Sequence, residues 1–135
     1  MNWTLEVFVV PVSNVDHSKA FYADRLGFKV DHDTIVNDDI RIVQLTPPGS
    51  GCSIVIAKGL QHGMAPGSLK GGQLVVNDVH KARAQLVEHG VAVSEVAKLG
   101  DNPVPAGHEL DNVGFVYFDD PDGNSWAVQQ ISNRG

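Results

Sequence analysis

His108 and Glu109 are the adjacent pair in this chain best suited to acid–base chemistry. An imidazole titrates near neutral pH, and a carboxylate beside it can take up or return a proton. Neighbours in an extended segment point to opposite sides, however, so the two need not cooperate. Residues of a pocket lid are the competing reading. The other histidines are placed for solvent: His17, His80 and His89 lie on or at the ends of helices, His32 opens an acidic stretch, and His62 sits in a Gly-rich segment. None makes a His-x-x-x-His pair. Asp119, Asp120 and Asp122 fall in a short run with turn chemistry and without the spacing of a calcium loop. Cys52 has no basic neighbour along the chain to activate a thiolate and reads as a small strand hydrophobe. Arg41 and Gln44 interrupt an apolar strand on opposite faces, one available to a ligand and the other to solvent.

The elements that position these residues occur twice. Val9-Val10-Pro11-Val12 leads into a polar start, Asn14 to Asp16, and a helix closed by Gly27. Leu74-Val75-Val76 leads into Asn77-Asp78 and a helix closed by Gly90. Asn14 or Asp16 caps the first helix and Asp78 the second, and each glycine suits the left-handed stop. The spacing buries Ala20, Phe21 and Leu26 in the first helix, with Tyr22 at the edge, and Val79, Ala82, Leu86 and Val87 in the second. Strands are expected from Phe28 to His32, Ile40 to Leu45 and Cys52 to Ala57, with an acidic turn over Asp31 to Asp39. In the second half they fall at Val91 to Val96, Gly114 to Phe118 and Ser125 to Ile131. Each half is a βαβββ unit, and a unit of about 60 residues repeated this way decides the fold class. The class is α+β: paired modules, one over about 4–58, a linker over about 59–70 and a second module over about 71–132, forming one domain over 1–135. The stretch from Lys98 to Asn112 is long for a compact domain and carries His108 and Glu109.

Composition narrows the partners. The formal net charge is −6 with no run of Lys or Arg, so neither nucleic acid nor an anionic membrane is expected as a partner. The apolar run at Val7–Val12 is too short to span a bilayer, and the N-terminus lacks the pattern of a signal peptide. A single cysteine suits a reducing cytoplasm.

Three passages together resemble the vicinal oxygen chelate superfamily of glyoxalase I, extradiol dioxygenases and bleomycin-resistance proteins. They are Ser18-Lys19-Ala20-Phe21-Tyr22 with Leu26-Gly27-Phe28; Val75-Val76-Asn77-Asp78-Val79; and Phe118-Asp119-Asp120-Pro121-Asp122-Gly123-Asn124. The resemblance implies curved sheets of paired modules forming an open, cupped barrel, and a homodimer. It also implies metal ligands at set strand positions. Here those positions carry Val7, Gly71 and Ala127, and the strand around Val55 has no His, Asp or Glu. Side chains without a donor atom cannot hold a divalent ion. The resemblance therefore points to the metal-free branch, with no metal and no cofactor.

If Val7, Gly71 and Ala127 face the cup, two-residue alternation adds Val9, Gln73, Val75, Ser125 and Gln129, with Ser53 and Val55 from the neighbouring strand. Such a wall, mostly apolar with a few amides and hydroxyls, suits an apolar or aromatic ligand oriented by hydrogen bonds; side chains that simply fill a barrel are the competing reading. The leading expectation is a metal-independent small-molecule-binding protein. The alternatives are a metal-free isomerase or lyase using His108 or Glu109, and a structural relative whose cup is filled.

Overall fold

Asn14 opens the first helix: its side chain accepts from the His17 N–H at 3.0 Å. In this computed structural model, which describes residues 1–59, 62–101, 103 and 107–134, α1 covers Val15–Ala20 and runs into a π-helical turn at Phe21–Arg25. There the Leu26 N–H reaches back to the Phe21 carbonyl at 3.1 Å. Gly27, at φ +76°, ends the helix as expected. The buried stripe is Ser18, Phe21 and Tyr22, while Ala20 is exposed and Leu26 half-buried. Tyr22 is fully buried rather than at the edge, because its hydroxyl has a buried partner, Asp120.

The first sheet contains β1 (Val7–Val10), β2 (Lys29–Asn37), β3 (Ile40–Thr46) and β4 (Ser53–Lys58), in the order β1-β4-β3-β2. β1 runs parallel to β4 and the other pairs are antiparallel. The expected acidic turn at Asp31 to Asp39 is mostly strand. β2 continues to Asn37 because Thr34 and Ile35 pair with Ile42 and Arg41, leaving only Asp38 and Asp39 in the turn.

The second sheet repeats the plan. β5 (Gly72–Val76), α2 (Val79–Glu88), β6 (Ala97–Lys98), β7 (Gly114–Asp119) and β8 (Ser125–Gln130) form a sheet of order β5-β8-β7-β6, again with its first and last strands parallel. Asp78 caps α2 by accepting from the Lys81 N–H at 3.0 Å. Val79 is buried, but Val87 is 52% exposed and leaves the apolar stripe. The strand expected at Val91 to Val96 shrinks to one bridge, Val93 to Phe118, with β6 two residues long. Side chains add to the backbone bond from the Ser94 N–H to the Tyr117 carbonyl: the Ser94 Oγ accepts from the Tyr117 N–H and the Arg83 guanidinium donates to the Ser94 carbonyl, each at 2.9 Å.

Both sheets confirm the α+β class and the paired βαβββ modules. By its contacts the chain forms two compact units, one of residues 1–69 with 120–124 and one of 70–119 with 125–135. In the first, Val10, Val12, Tyr22, Val43, Leu45 and Ile56 have no or almost no exposure. In the second, Val79, Val116, Phe118, Trp126 and Val128 form the core. Gly72 lies opposite Trp126, and a Cβ there would sit 2.7 Å from the indole ring. The backbone of β5 approaches that closely only because residue 72 has no side chain.

Candidate functional site

In the first unit, strand register brings the expected residues onto one face. Val7 pairs with Ser53 and Val9 with Val55, and Val55 pairs in turn with Gln44. The register between β2 and β3 shifts between Val30 and His32, so Asp31 is an extra residue. It turns toward the same face: the Asp31 Oδ2 accepts from the Thr46 hydroxyl and, at 3.5 Å, from the Gln44 Nε2. The Thr46 and Ser53 hydroxyls are 2.5 Å apart.

Arg41 goes to the opposite face. Its guanidinium binds both oxygens of Asp33 at 2.9 and 2.7 Å and Asp16 at 2.6 Å, while Lys19 adds a 2.9 Å contact to Asp33. This network ties α1 to the β2–β3 hairpin. The hydrogen bond from Arg41, then that from Lys19, holds the Asp33 carboxyl well below the usual range, and Asp33 in turn raises Arg41. A small hollow of about 190 Å³ beside it is lined by Val12, Asp16, Arg41 and Lys58.

In the second unit, Gln73 pairs with Ala127 and Val75 with Gln129. Ala127 pairs on its other side with Tyr117, and Gln129 with Phe115. The Gln73 Nε2 donates to the Gln129 Oε1 at 2.7 Å, and the Gln129 Nε2 donates to the Asn112 carbonyl at 2.8 Å. The Lys70 Nζ lies 3.5 Å from the Ser125 Oγ. Phe115 and Tyr117 put their rings side by side on this face, centroids 6.1 Å apart and planes within 4° of parallel. Tyr117 is 40% exposed and borders an open hollow of about 360 Å³ with Ala92, Phe118 and Asp119. The expected residues omitted this aromatic pair. Its signal was the alternation in β7, where Phe115 and Tyr117 flank the buried Val116.

His108 and Glu109 turn to different partners. The His108 Nδ1 accepts from the Leu110 N–H at 3.0 Å, which commits that nitrogen to the backbone. Glu109 is 76% exposed with Lys98 4.0 Å away. The buried carboxylate of this loop is Asp111, which accepts from the Ser132 hydroxyl and N–H, the Gln130 Nε2 and the His108 N–H. Those bonds, led by the Ser132 hydroxyl, lower its pKa. Residues 102 and 104–106 of the loop lie outside the described residues. All six histidines are exposed.

The run at 119–124 is a structural clasp. The Asp120 carboxylate, 5% exposed, accepts from the Tyr22 hydroxyl, the Asn124 side-chain amide and the N–H groups of Asp122 and Asn124. Asn124 also donates to the Pro11 carbonyl at 2.9 Å. A model of the glyoxalase/bleomycin resistance protein/dioxygenase superfamily matches residues 4–128, from before β1 into β8. The chain belongs to this superfamily. Among solved structures, this glyoxalase-family chain is 34% identical to TnmS3, an antibiotic-binding protein from Streptomyces sp. CB03234, over 97% of this chain and 98% of that one, with a TM-score of 0.74. A glyoxalase/bleomycin resistance protein from the same strain is also 34% identical, over 94% and 100%, with a TM-score of 0.72. A superfamily member from Sphaerobacter thermophilus DSM 20745 is 26% identical, over 96% and 98%, at 0.71. No curated protein sequence matches the chain.

A divalent ion does not fit the family's metal positions here. Val7, Gly71 and Ala127 have no donor atoms, and among the described residues no group of three or more His, Cys, Asp or Glu is placed to hold one. Among the described residues no helix is long and apolar enough to cross a membrane.

Proposed function

We propose that this glyoxalase-family protein binds a small apolar or aromatic molecule without a metal, and that the β5–β8–β7 face of the second unit is its main contact surface. The observation that carries this reading is the parallel pair Phe115 and Tyr117 beside the Gln73–Gln129 amide pair. Flat rings on a sheet offer stacking area at little entropic cost. Gln129 has both ends of its amide engaged within the protein, which holds Gln73 in place with its carbonyl oxygen available to a ligand donor. Val75 and Ala127 complete an apolar floor. The 34% identical antibiotic-binding relative supports a small-molecule ligand.

Sequestration rather than turnover is the proposed mode. The His108 Nδ1 is committed to the Leu110 N–H, and the Glu109 carboxylate is turned to solvent. The protein is proposed to act in the cytoplasm as a homodimer. Trp3 and Leu5, 88% and 68% exposed, supply apolar area for a second copy.

The test is calorimetric titration of untagged, chelator-treated protein with bleomycin and with 2-naphthol, a neutral planar probe. Saturable heat from at least one, weakened about tenfold or more in Tyr117→Ala, supports the reading. Binding that requires added metal, or that ignores Tyr117→Ala, contradicts it. Sedimentation of the same sample tests the dimer.

A further inference from the structure

The face of the first sheet that carries Val7, Val9, Ser53 and Val55 also carries one connected polar group, Asp31 with Thr46, Ser53 and Gln44, beside Lys29 and His32. An ionised Asp31 can only accept, so the Thr46 hydroxyl spends its single proton on Asp31 Oδ2. The Ser53 hydroxyl, 2.5 Å from Thr46, must then donate to Thr46 Oγ1. Ser53 is 6% exposed and anchors this relay in β4, next to Val7 in the register. Gln44 turns its Nε2 to the same Asp31 oxygen. The Thr46 hydroxyl and one N–H of the Gln44 amide are aimed at Oδ2, and the Ser53 hydroxyl at Thr46 Oγ1. Left without a partner among the described residues are the Asp31 Oδ1 and, on Gln44, the Oε1 and the second N–H of Nε2, so the carboxylate charge sets what the group recognises.

The charge is also uncompensated. Among the described residues, Asp31 makes no ion pair. Arg41 and Lys19 are committed to Asp33 and Asp16 through the other side of the sheet. Lys58 donates to the Asp38 carbonyl. Lys29, opposite Thr46 in the register, makes no ion pair with Asp31. Asp31 shares this face with Lys29 by alternation, and the bulge brings His32 onto it as well, since Lys29 pairs with Thr46 and His32 with Gln44.

We propose that Asp31, held by Thr46, Ser53 and Gln44, is a recognition site for a protonated amine. An ammonium group offers donors and a positive charge, the complement of a carboxylate held in place and left without an ion pair among the described residues. A hydroxyl offers one proton and no charge, and a carboxylate or phosphate would be repelled. The ligand class is thus an amine-bearing small molecule, with its apolar part against Val9 and Val55. This goes beyond the stacking surface of the second unit and does not depend on it.

The test is an amide NMR titration with cyclohexylamine, protonated at neutral pH, against cyclohexanol, its uncharged counterpart, neither of which needs an aromatic platform. Cyclohexylammonium is expected to shift residues of β2, β3 and β4 around Asp31, Gln44 and Ser53, and to bind about tenfold or more tightly than cyclohexanol. Asp31→Asn, which keeps the shape and removes the charge, is expected to abolish that preference. Ser53→Ala, which keeps the charge and loosens the relay, is expected to weaken the amine several-fold. Equal affinity for the two probes, an unchanged preference in Asp31→Asn, or shifts confined to other strands would overturn the proposal. Failure of 2-naphthol to bind at β7 with the amine preference intact would instead count against the proposed function alone.

Discussion

The Tyr22 hydroxyl donates to the Asp120 carboxylate at 2.7 Å across 98 positions of sequence. Tyr22 has no exposed surface and Asp120 is 5% exposed, so the bond is made where water cannot replace it. It joins two of the passages that carry the family resemblance and gives both a structural rather than a catalytic role. Gly67 belongs to the same clasp: a Cβ on it would lie 2.0 Å from the Asp122 carbonyl, and its φ of +80° suits glycine.

Tyr22→Phe keeps the ring contacts with Phe21 and Phe28 and removes only this donor. A buried carboxylate oxygen then keeps the Asn124 amide alone. The expected cost is about 1–3 kcal/mol in a urea unfolding curve, with little change in the slope. An unchanged midpoint would mean that Asp120 is satisfied without Tyr22.

Ser18 predicts the opposite sign. Its side chain is 1% exposed and its hydroxyl has no hydrogen-bond partner among the described residues. Ser18→Ala removes a desolvated polar atom and improves helix propensity in α1. Stabilisation of about 1 kcal/mol is expected, read as a rise in melting temperature; destabilisation would show that the hydroxyl is satisfied in solution.

Acid sensitivity should trace in part to Asp33. Its folded pKa is depressed, first by the hydrogen bond from Arg41 and then by that from Lys19. The stability it contributes is therefore present at neutral pH, above the ordinary carboxylate pKa of about 3.9, and is lost as pH falls through the lower folded value. Asp33→Asn should cost at most about 1 kcal/mol at neutral pH, since the pair is partly solvated, and should flatten the fall in unfolding free energy below about pH 4. Asp111, depressed in the same direction, leaves a residual slope. A variant with the full wild-type pH profile would contradict this account.

Local rules made much of the fold legible. Asn14, Gly27, Asp78 and Gly90 punctuate both helices as their chemistry requires, and the repetition made a paired βαβββ plan readable. Alternation along β1, β4, β5 and β8 was enough to group Val7, Val9, Ser53 and Val55, and separately Gln73, Val75, Ser125, Ala127 and Gln129, by face. What alternation along single strands did not show depends on pairing between strands. Phe115 and Tyr117 join the second group only through the β7–β8 register. His32 joins the face of Asp31 and Gln44 through a bulge that local propensity does not encode. The burial of Tyr22 depends on a partner 98 residues away. The expected strand at Val91 to Val96 is cut to a bridge where the Ser94 hydroxyl accepts from the Tyr117 N–H and Arg83 donates to the Ser94 carbonyl in place of further strand pairing.

The central claim is that the stacked pair on β7 binds a planar molecule without metal. The most direct measurement is a backbone-amide NMR titration of the chelator-treated protein with 2-naphthol, run in parallel on Tyr117→Ala. The account predicts shifts concentrated at Gln73, Phe115, Tyr117 and Ala127, saturating with probe and weakened about tenfold or more by the substitution. Shifts scattered over other surfaces, or binding that appears only when a divalent metal is restored, would contradict it.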